Sequence, residues 1–209
     1  MTKLGKLAKV TTLLIFIQIF RILLKQTIFL FTDHSVQTNN TVSALLFLLL
    51  TVLLLCYSKR NVIPLSIFPQ KRCRLYILIT AVYLALLIST PFITNNYSFS
   101  AIQNLLYLAL IVPVFEELLF RGYLWNELKT VLKKEANVYI IITILFSVWH
   151  FGYFDSIAIR IANENLMFVL LMKALTGLLF GIVLGFTRYK TKNCFSTILL
   201  HGAMNVFGR

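Results

Sequence analysis

From Leu75 to Phe115 the chain carries no charged residue, and apolar runs of comparable length recur along the whole sequence. A helix crosses the hydrocarbon layer of a bilayer with about 20 apolar residues, in a range of roughly 17–25. Segments of this kind fall at 10–32, 42–57, 75–94, 101–124, 136–154, 166–187 and 194–207. The expected fold is therefore all-α, a multi-pass transmembrane helical bundle of about seven spans. The second and last are short and need tilt or local thinning of the bilayer. With 59% hydrophobic residues and a mean hydropathy of +0.84, the composition lies outside the range of a soluble domain. No linker, low-complexity stretch or convincing internal repeat divides the chain, so a single membrane domain over 1–209 is expected.

The net charge of +13 could suggest nucleic acid, but the basic residues come as short clusters between apolar runs. Such clusters set membrane topology, and a nucleic-acid partner is not expected. With the N-terminus in the cytoplasm, Lys3, Lys6, Lys9, the five basic residues of loop 58–74 (Lys59, Arg60, Lys71, Arg72 and Arg74), Lys129, Lys133, Lys134, Arg188, Lys190 and Lys192 lie inside. Only Arg160 and Arg209 lie outside. The lysines before the first apolar run resemble the start of a secretory signal. No small-residue cleavage site follows and Arg21 with Lys25 interrupts the run, so an uncleaved anchor is expected. Gln18, Arg21 and Lys25 share a helix face, either lining the bundle or snorkelling to the interface. Cys56, Cys73 and Cys194 have no metal-ligand spacing and are read as packing or surface residues.

Against this apolar background three polar constellations stand out. Ionisable side chains in hydrocarbon cost upward of ~3 kcal/mol and persist where they pair or do chemistry. Glu116 and Glu117 project about 100° apart on a helix of 3.6 residues per turn. Arg121, four residues beyond Glu117, is placed to pair with it, which leaves Glu116 to face the bundle as a general base. Phe146 and His150 share a face one turn apart, as do His201 and Asn205. An asparagine amide or a protonated histidine suits a developing oxyanion. At 1.5 Å per residue, Glu116 lies about 20 Å from Lys129, His150 about 21 Å from Ala136, and His201 with Asn205 roughly 10–17 Å from Cys194. All three sites therefore reach one middle depth from the same side. Taken singly, each also has a plain reading: an ion-pair cluster, a satisfied core histidine, a polar helix contact.

In order and spacing these residues resemble the signatures of the CPBP intramembrane proteases, the Abi or CAAX-protease-like family. Its first motif is met by Glu116, Glu117 and Arg121, its second by Phe146 and His150, its third by His201 and Asn205, over roughly 101–209. The resemblance implies an endopeptidase core at 101–209 in which Glu116 and His150 hold the attacking water. His201 and Asn205 would stabilise the oxyanion, with Glu117, Arg121 and Phe146 in support. It leaves the metal open: none is obligatory, but zinc on Glu116, His150 and His201 with water in the fourth place is the alternative. No helix carries HExxH spacing. The implied partner is a peptide or protein in or at the membrane. The implied setting is a bacterial plasma membrane, in secreted-peptide or bacteriocin maturation or self-immunity. Two other classes compete, a non-proteolytic immunity or scaffold protein and a proton-coupled transporter. The first has no need of a full catalytic set, and the second lacks paired, interrupted helices in matching halves. Gly177, Gly181 and Gly185 form a ladder for close helix packing, and Asp33 and Asp155 are expected in or near outside loops.

Overall fold

The computed structural model describes residues 2–70, 74–161 and 165–208. Lys71, Arg72, Cys73 and Arg209, which entered the charge and cysteine readings, lie outside the described residues. The chain is an all-α, multi-pass membrane bundle. Helices α1 (Lys3–Phe29), α2 (Val36–Arg60), α3 (Arg74–Thr94), α5 (Glu135–Ala158) and α6 (Leu166–Thr191) are each long and apolar enough to cross a membrane. Between α3 and α5, α4 runs without a break through Phe99–Leu106, Tyr107–Ile111, Val112–Glu117, Leu118–Leu124 and Trp125–Lys129. The last helix, α7 (Cys194–Phe207), is the short one, at 14 residues.

α2 is longer than its apolar run of 42–57. Ser35 caps it, its hydroxyl accepting from the Thr38 amide at 3.1 Å, and the polar first turns bond sideways instead of ending the helix. Asn40 Nδ2 donates to Asn104 Oδ1 at 3.2 Å and Gln103 Nε2 to Thr41 Oγ1 at 2.6 Å. α1 and α4 also extend past their apolar runs, at their charged ends. There Lys6 pairs with Glu127 at 2.6 Å and fixes the start of α1 beside the end of α4. At the same end, the amides of Cys194 and Phe195 donate to the carbonyls of Ser66 and Ile67 (2.9 and 2.8 Å), and Lys192 pairs with Glu135 at 2.7 Å. The opposite end gathers the start of α2, the start of α4 and Arg160, whose Nη2 donates to Asn40 Oδ1.

α4 departs from α-geometry on both sides of its two glutamates, at Tyr107–Ile111 and at Leu118–Leu124, where it winds as a π-helix. Pro113 accounts for part of this. It has no N–H for Ala109 (i−4) or Leu108 (i−5), while Val112 N–H already reaches back to Tyr107 in π register. Side chains from other helices serve both carbonyls. Tyr83 of α3 donates to Ala109 O at 2.8 Å, and Asn205 of α7 to Leu108 O at 3.1 Å.

α5 tightens to a 3-10 turn over His150–Tyr153 before its last segment. The Gly177, Gly181 and Gly185 ladder seats α6 on α5 as the sequence implies. A Cβ at these positions would stand 2.5 Å from His150 Nδ1, 3.2 Å from Thr143 Cγ2 and 2.5 Å from the Tyr139 ring. Exposed backbone on the ladder is used as well: Ser147 Oγ donates to Ala174 O at 2.8 Å and Thr143 Oγ1 to Gly181 O at 3.2 Å. α3 buries only Tyr83 and Leu87 of its described side chains and turns the rest of its apolar surface outward, as a lipid-facing helix does.

Asp155 lies three residues before the end of α5, near the loop that follows, but it is not solvated there. Asp155 is buried in the last segment of α5 and pairs with Arg21 at 3.1 Å and Lys25 at 2.6 Å. Both cations are wholly buried, so the polar face of α1 lines the bundle and does not snorkel. The apolar span ends near Asp155 because a charge begins there; the helix continues because the charge is neutralised from α1.

Candidate active site

The four helices α4 to α7 bring the three constellations into contact. Glu117 and Arg121 pair at 3.0 Å with both side chains fully buried. The guanidinium lies over the Phe146 ring, 4.1 Å from its centroid. Phe146 also meets His150 and His201 edge to face, at 4.8 and 5.8 Å between ring centroids. It is thus a shared platform for three charged or titratable groups. His201 places Nδ1 2.8 Å from Glu117 Oε1. Since Glu117 also accepts from Arg121, it is a carboxylate, and Nδ1 of His201 is the donor.

Glu116 turns away from that pair, as the helix geometry demands. Its Oε1 accepts from Trp149 Nε1 at 3.0 Å and from the Tyr153 hydroxyl. Its Oε2 stands 3.7 Å from His201 Nε2. Trp149 and Tyr153 are four residues apart on α5, and Trp149 Nε1 also lies 3.0 Å from Tyr153 Oη.

The orientation of His150 follows from the tightening of α5. The His150 amide bonds to Ser147 instead of Phe146, so the Phe146 carbonyl is released. The imidazole takes it, with Nδ1 at 2.7 Å. A carbonyl only accepts, hence Nδ1 carries the proton and Nε2 keeps its lone pair. The carbonyls of this turn are held from α1: Gln18 Nε2 donates to Trp149 O at 3.0 Å and Arg21 Nη2 to Gly152 O. Arg21 also lies over the Tyr153 ring at 5.0 Å.

Glu116, His150, His201 and Asn205 line one cavity of about 830 Å³, of the size that small ligands and short peptide segments occupy. Asn205 commits one amide hydrogen to Leu108 O; its second is available. Among the described residues, no group of three or more His, Cys, Asp or Glu side chains is placed to hold a metal ion. His201 turns Nδ1 to Glu117 and Nε2 toward Glu116, an arrangement that serves a metal-free imidazole and a histidine ligating through Nε2 alike. Cys194 is a packing residue, buried with Sγ 3.2 Å from Leu65 O, and Cys56 is exposed.

Sequence reasoning passed over Trp149 and Tyr153, because aromatic residues in an apolar helix read as packing. Their i, i+4 spacing around His150 was the available signal. Tyr83 and the Gln18–Arg21 pair support the site from helices outside the three motifs. Comparison with curated proteins and with solved structures gives no match. The family model for Rce1-like type II CAAX prenyl endopeptidases matches residues 98–207, a stretch of α4 to α7 that holds every motif residue named above. With more than half of its length in that match, the chain belongs to the Rce1-like type II CAAX prenyl endopeptidase family.

Proposed function

We propose that this membrane endopeptidase cleaves a peptide bond with a water activated jointly by Glu116 and His150, without a metal in the reacting centre. The observation that carries the reading is the unequal state of the two Glu116 oxygens. Oε1 already accepts from Trp149 and Tyr153, which leaves Oε2 to receive a proton. His150, with its proton held at Nδ1, offers Nε2 to the same water. As the water oxygen bonds to the scissile carbonyl carbon, its proton passes to Glu116 Oε2. The carbonyl oxygen becomes an oxyanion, met by the second amide hydrogen of Asn205 and by Nε2–H of His201 in its doubly protonated form. The C–N bond then breaks as Glu116 returns the proton to the leaving amine. Glu117, paired with Arg121, keeps His201 turned and its Nδ1 proton in place.

In this reading α4 to α7 carry the chemistry, the basic loops face the cytoplasm, and the setting is a bacterial plasma membrane. The physiological task is maturation of secreted peptides, bacteriocins among them, or self-immunity. The test is cleavage of a peptide library by purified protein. Glu116→Gln keeps the shape of the side chain and removes the base, so complete loss of cleavage with native-like purification is expected. Cleavage by Glu116→Gln at the native rate overturns the assignment. A native protein that cleaves nothing returns the field to the scaffold and transporter alternatives.

A further inference from the structure

Along the bundle the cavity extends from Glu116 toward one end, and its lining residues say which. On α4 they descend from Ser98 to Glu116 and go no further; on α5 and the turn after it they run from His150 to Arg160, on α6 they include Lys173, and on α7 they run from His201 to Val206. α2 contributes residues of its first turns, Val36, Gln37 and Asn40, and α3 contributes Thr90 near its last. Among the described residues, every lining position lies at the level of Glu116 or on the side away from the basic loops. The basic side is closed by packing. Leu65 is buried, its carbonyl accepts from Cys194 Sγ, and a Cβ on Gly122 would stand 3.2 Å from it. Trp125 and Leu128 fill the space behind.

The open end is of mixed polarity. Gln37, Asn40, Asn96, Ser98, Ser100 and Asn104 stand on its rim beside Val36, Ala101, Leu105 and Leu108, a lining that offers hydrogen bonds to peptide groups and apolar wall to side chains. Basic clusters mark the cytoplasmic side of a membrane protein, and here they mark the closed end.

From this geometry we infer that the site takes its substrate from the extracytoplasmic side, and that the substrate is an extended segment of an exported peptide or protein. The inference rests on the hydrolytic reading above and adds its direction and substrate class. Such a segment threads past Ser98 and Asn104 to place its scissile carbonyl at Glu116. A segment anchored at the cytoplasmic face would have to part Leu65 from Cys194 and Gly122 to reach the same atoms.

The test uses the full-length protein in a Cys56→Ser, Cys73→Ser background, where buried Cys194 remains. Ser98→Cys at the rim and Val112→Cys on the deep wall, with Asn104→Cys as a second wall position, are exposed to a membrane-impermeant methanethiosulfonate reagent. Labelling is compared between intact cells and inverted vesicles, and cleavage of the peptide library is measured after purification. The expected result is labelling of all three positions in intact cells, with the label at position 112 or 104 lowering cleavage by at least about 10-fold. Labelling confined to inverted vesicles, or absent from both, with cleavage intact in the unlabelled protein overturns the outward opening and leaves the hydrolytic reading standing. External labelling of a protein whose unlabelled form cleaves no peptide overturns the substrate class together with the hydrolytic reading.

Discussion

Two adjacent glutamates divide their labour because a helix cannot point neighbouring side chains at one place. Glu117 is locked between Arg121 and His201, and Glu116 between donors on α5 and the cavity. Glu117→Gln strands the buried guanidinium of Arg121, so a loss of about 3–5 kcal/mol is expected, read as a lower unfolding temperature in detergent. Glu116→Gln is expected to unfold near the native temperature; equal stability of both variants with activity lost only in Glu117→Gln reverses their roles. Tyr153→Phe removes one donor from Glu116 Oε1 while the ring stays under Arg21. A hydrogen bond to a charged group contributes about 1.5–3 kcal/mol, so kcat should fall at least about 10-fold with KM close to native. A rise in KM with unchanged kcat would instead place Tyr153 in ground-state binding. The pairing of Glu117 with Arg121 was legible from i, i+4 spacing and the freedom of Glu116 from the 100° step. The donors on Glu116 were marked only by the i, i+4 spacing of Trp149 and Tyr153, because the packing of neighbouring helices decides which aromatic side chain of an apolar helix faces a carboxylate.

At the level of helices, the site depends on departures from regular winding. The 3-10 turn of α5 frees the Phe146 carbonyl for His150, and Pro113 leaves Leu108 O for Asn205. Asn205 therefore does two things at once, holding the π-helical part of α4 and facing the cavity. Gly177 is the third such element: its bare Cα is what lets the His150 ring lie against α6. Gly177→Ala is expected to displace that ring and cut cleavage by at least about 10-fold, with a stability cost of roughly 1–3 kcal/mol from overpacking. Gly185→Ala crowds Tyr139 as closely but away from the cavity, so it should lose comparable stability and retain cleavage. Equal activity losses in the two would make the ladder architecture alone. Apolar length predicted which segments become helices, and it failed at their ends. α2 begins at Val36, ahead of its apolar run, and holds Asn39, Asn40 and Thr41 because other helices bond those side chains, and α5 continues through Asp155 because α1 neutralises it. Hydropathy is blind to partners that arrive from elsewhere in the chain.

Over the whole molecule, the motif-bearing half is held in place by the half that carries no motif. Arg21 and Lys25 of α1 meet Asp155 of α5, Tyr83 of α3 meets Ala109 of α4, and Asn40 of α2 meets Asn104 and Arg160. Asp155→Asn leaves two buried cations facing a neutral amide, and a loss of about 3–5 kcal/mol is expected in the same thermal assay. Rescue by a second substitution, Lys25→Met, would show that the excess charge is the cause. The same triad bears on how the protein is made. Asp155 follows Arg21 by 134 positions in the chain, so when α1 first leaves the ribosome its counter-ion has not been synthesised. Each unpaired cation then costs about 2.5–3.5 kcal/mol at the centre of a membrane helix. The pairing that neutralises this face of the first segment therefore forms only after α5 is translated. The segment's final seating is a late event that reports the arrival of α5, and a protein arrested before Asp155 presents to quality-control proteases an anchor that has not settled.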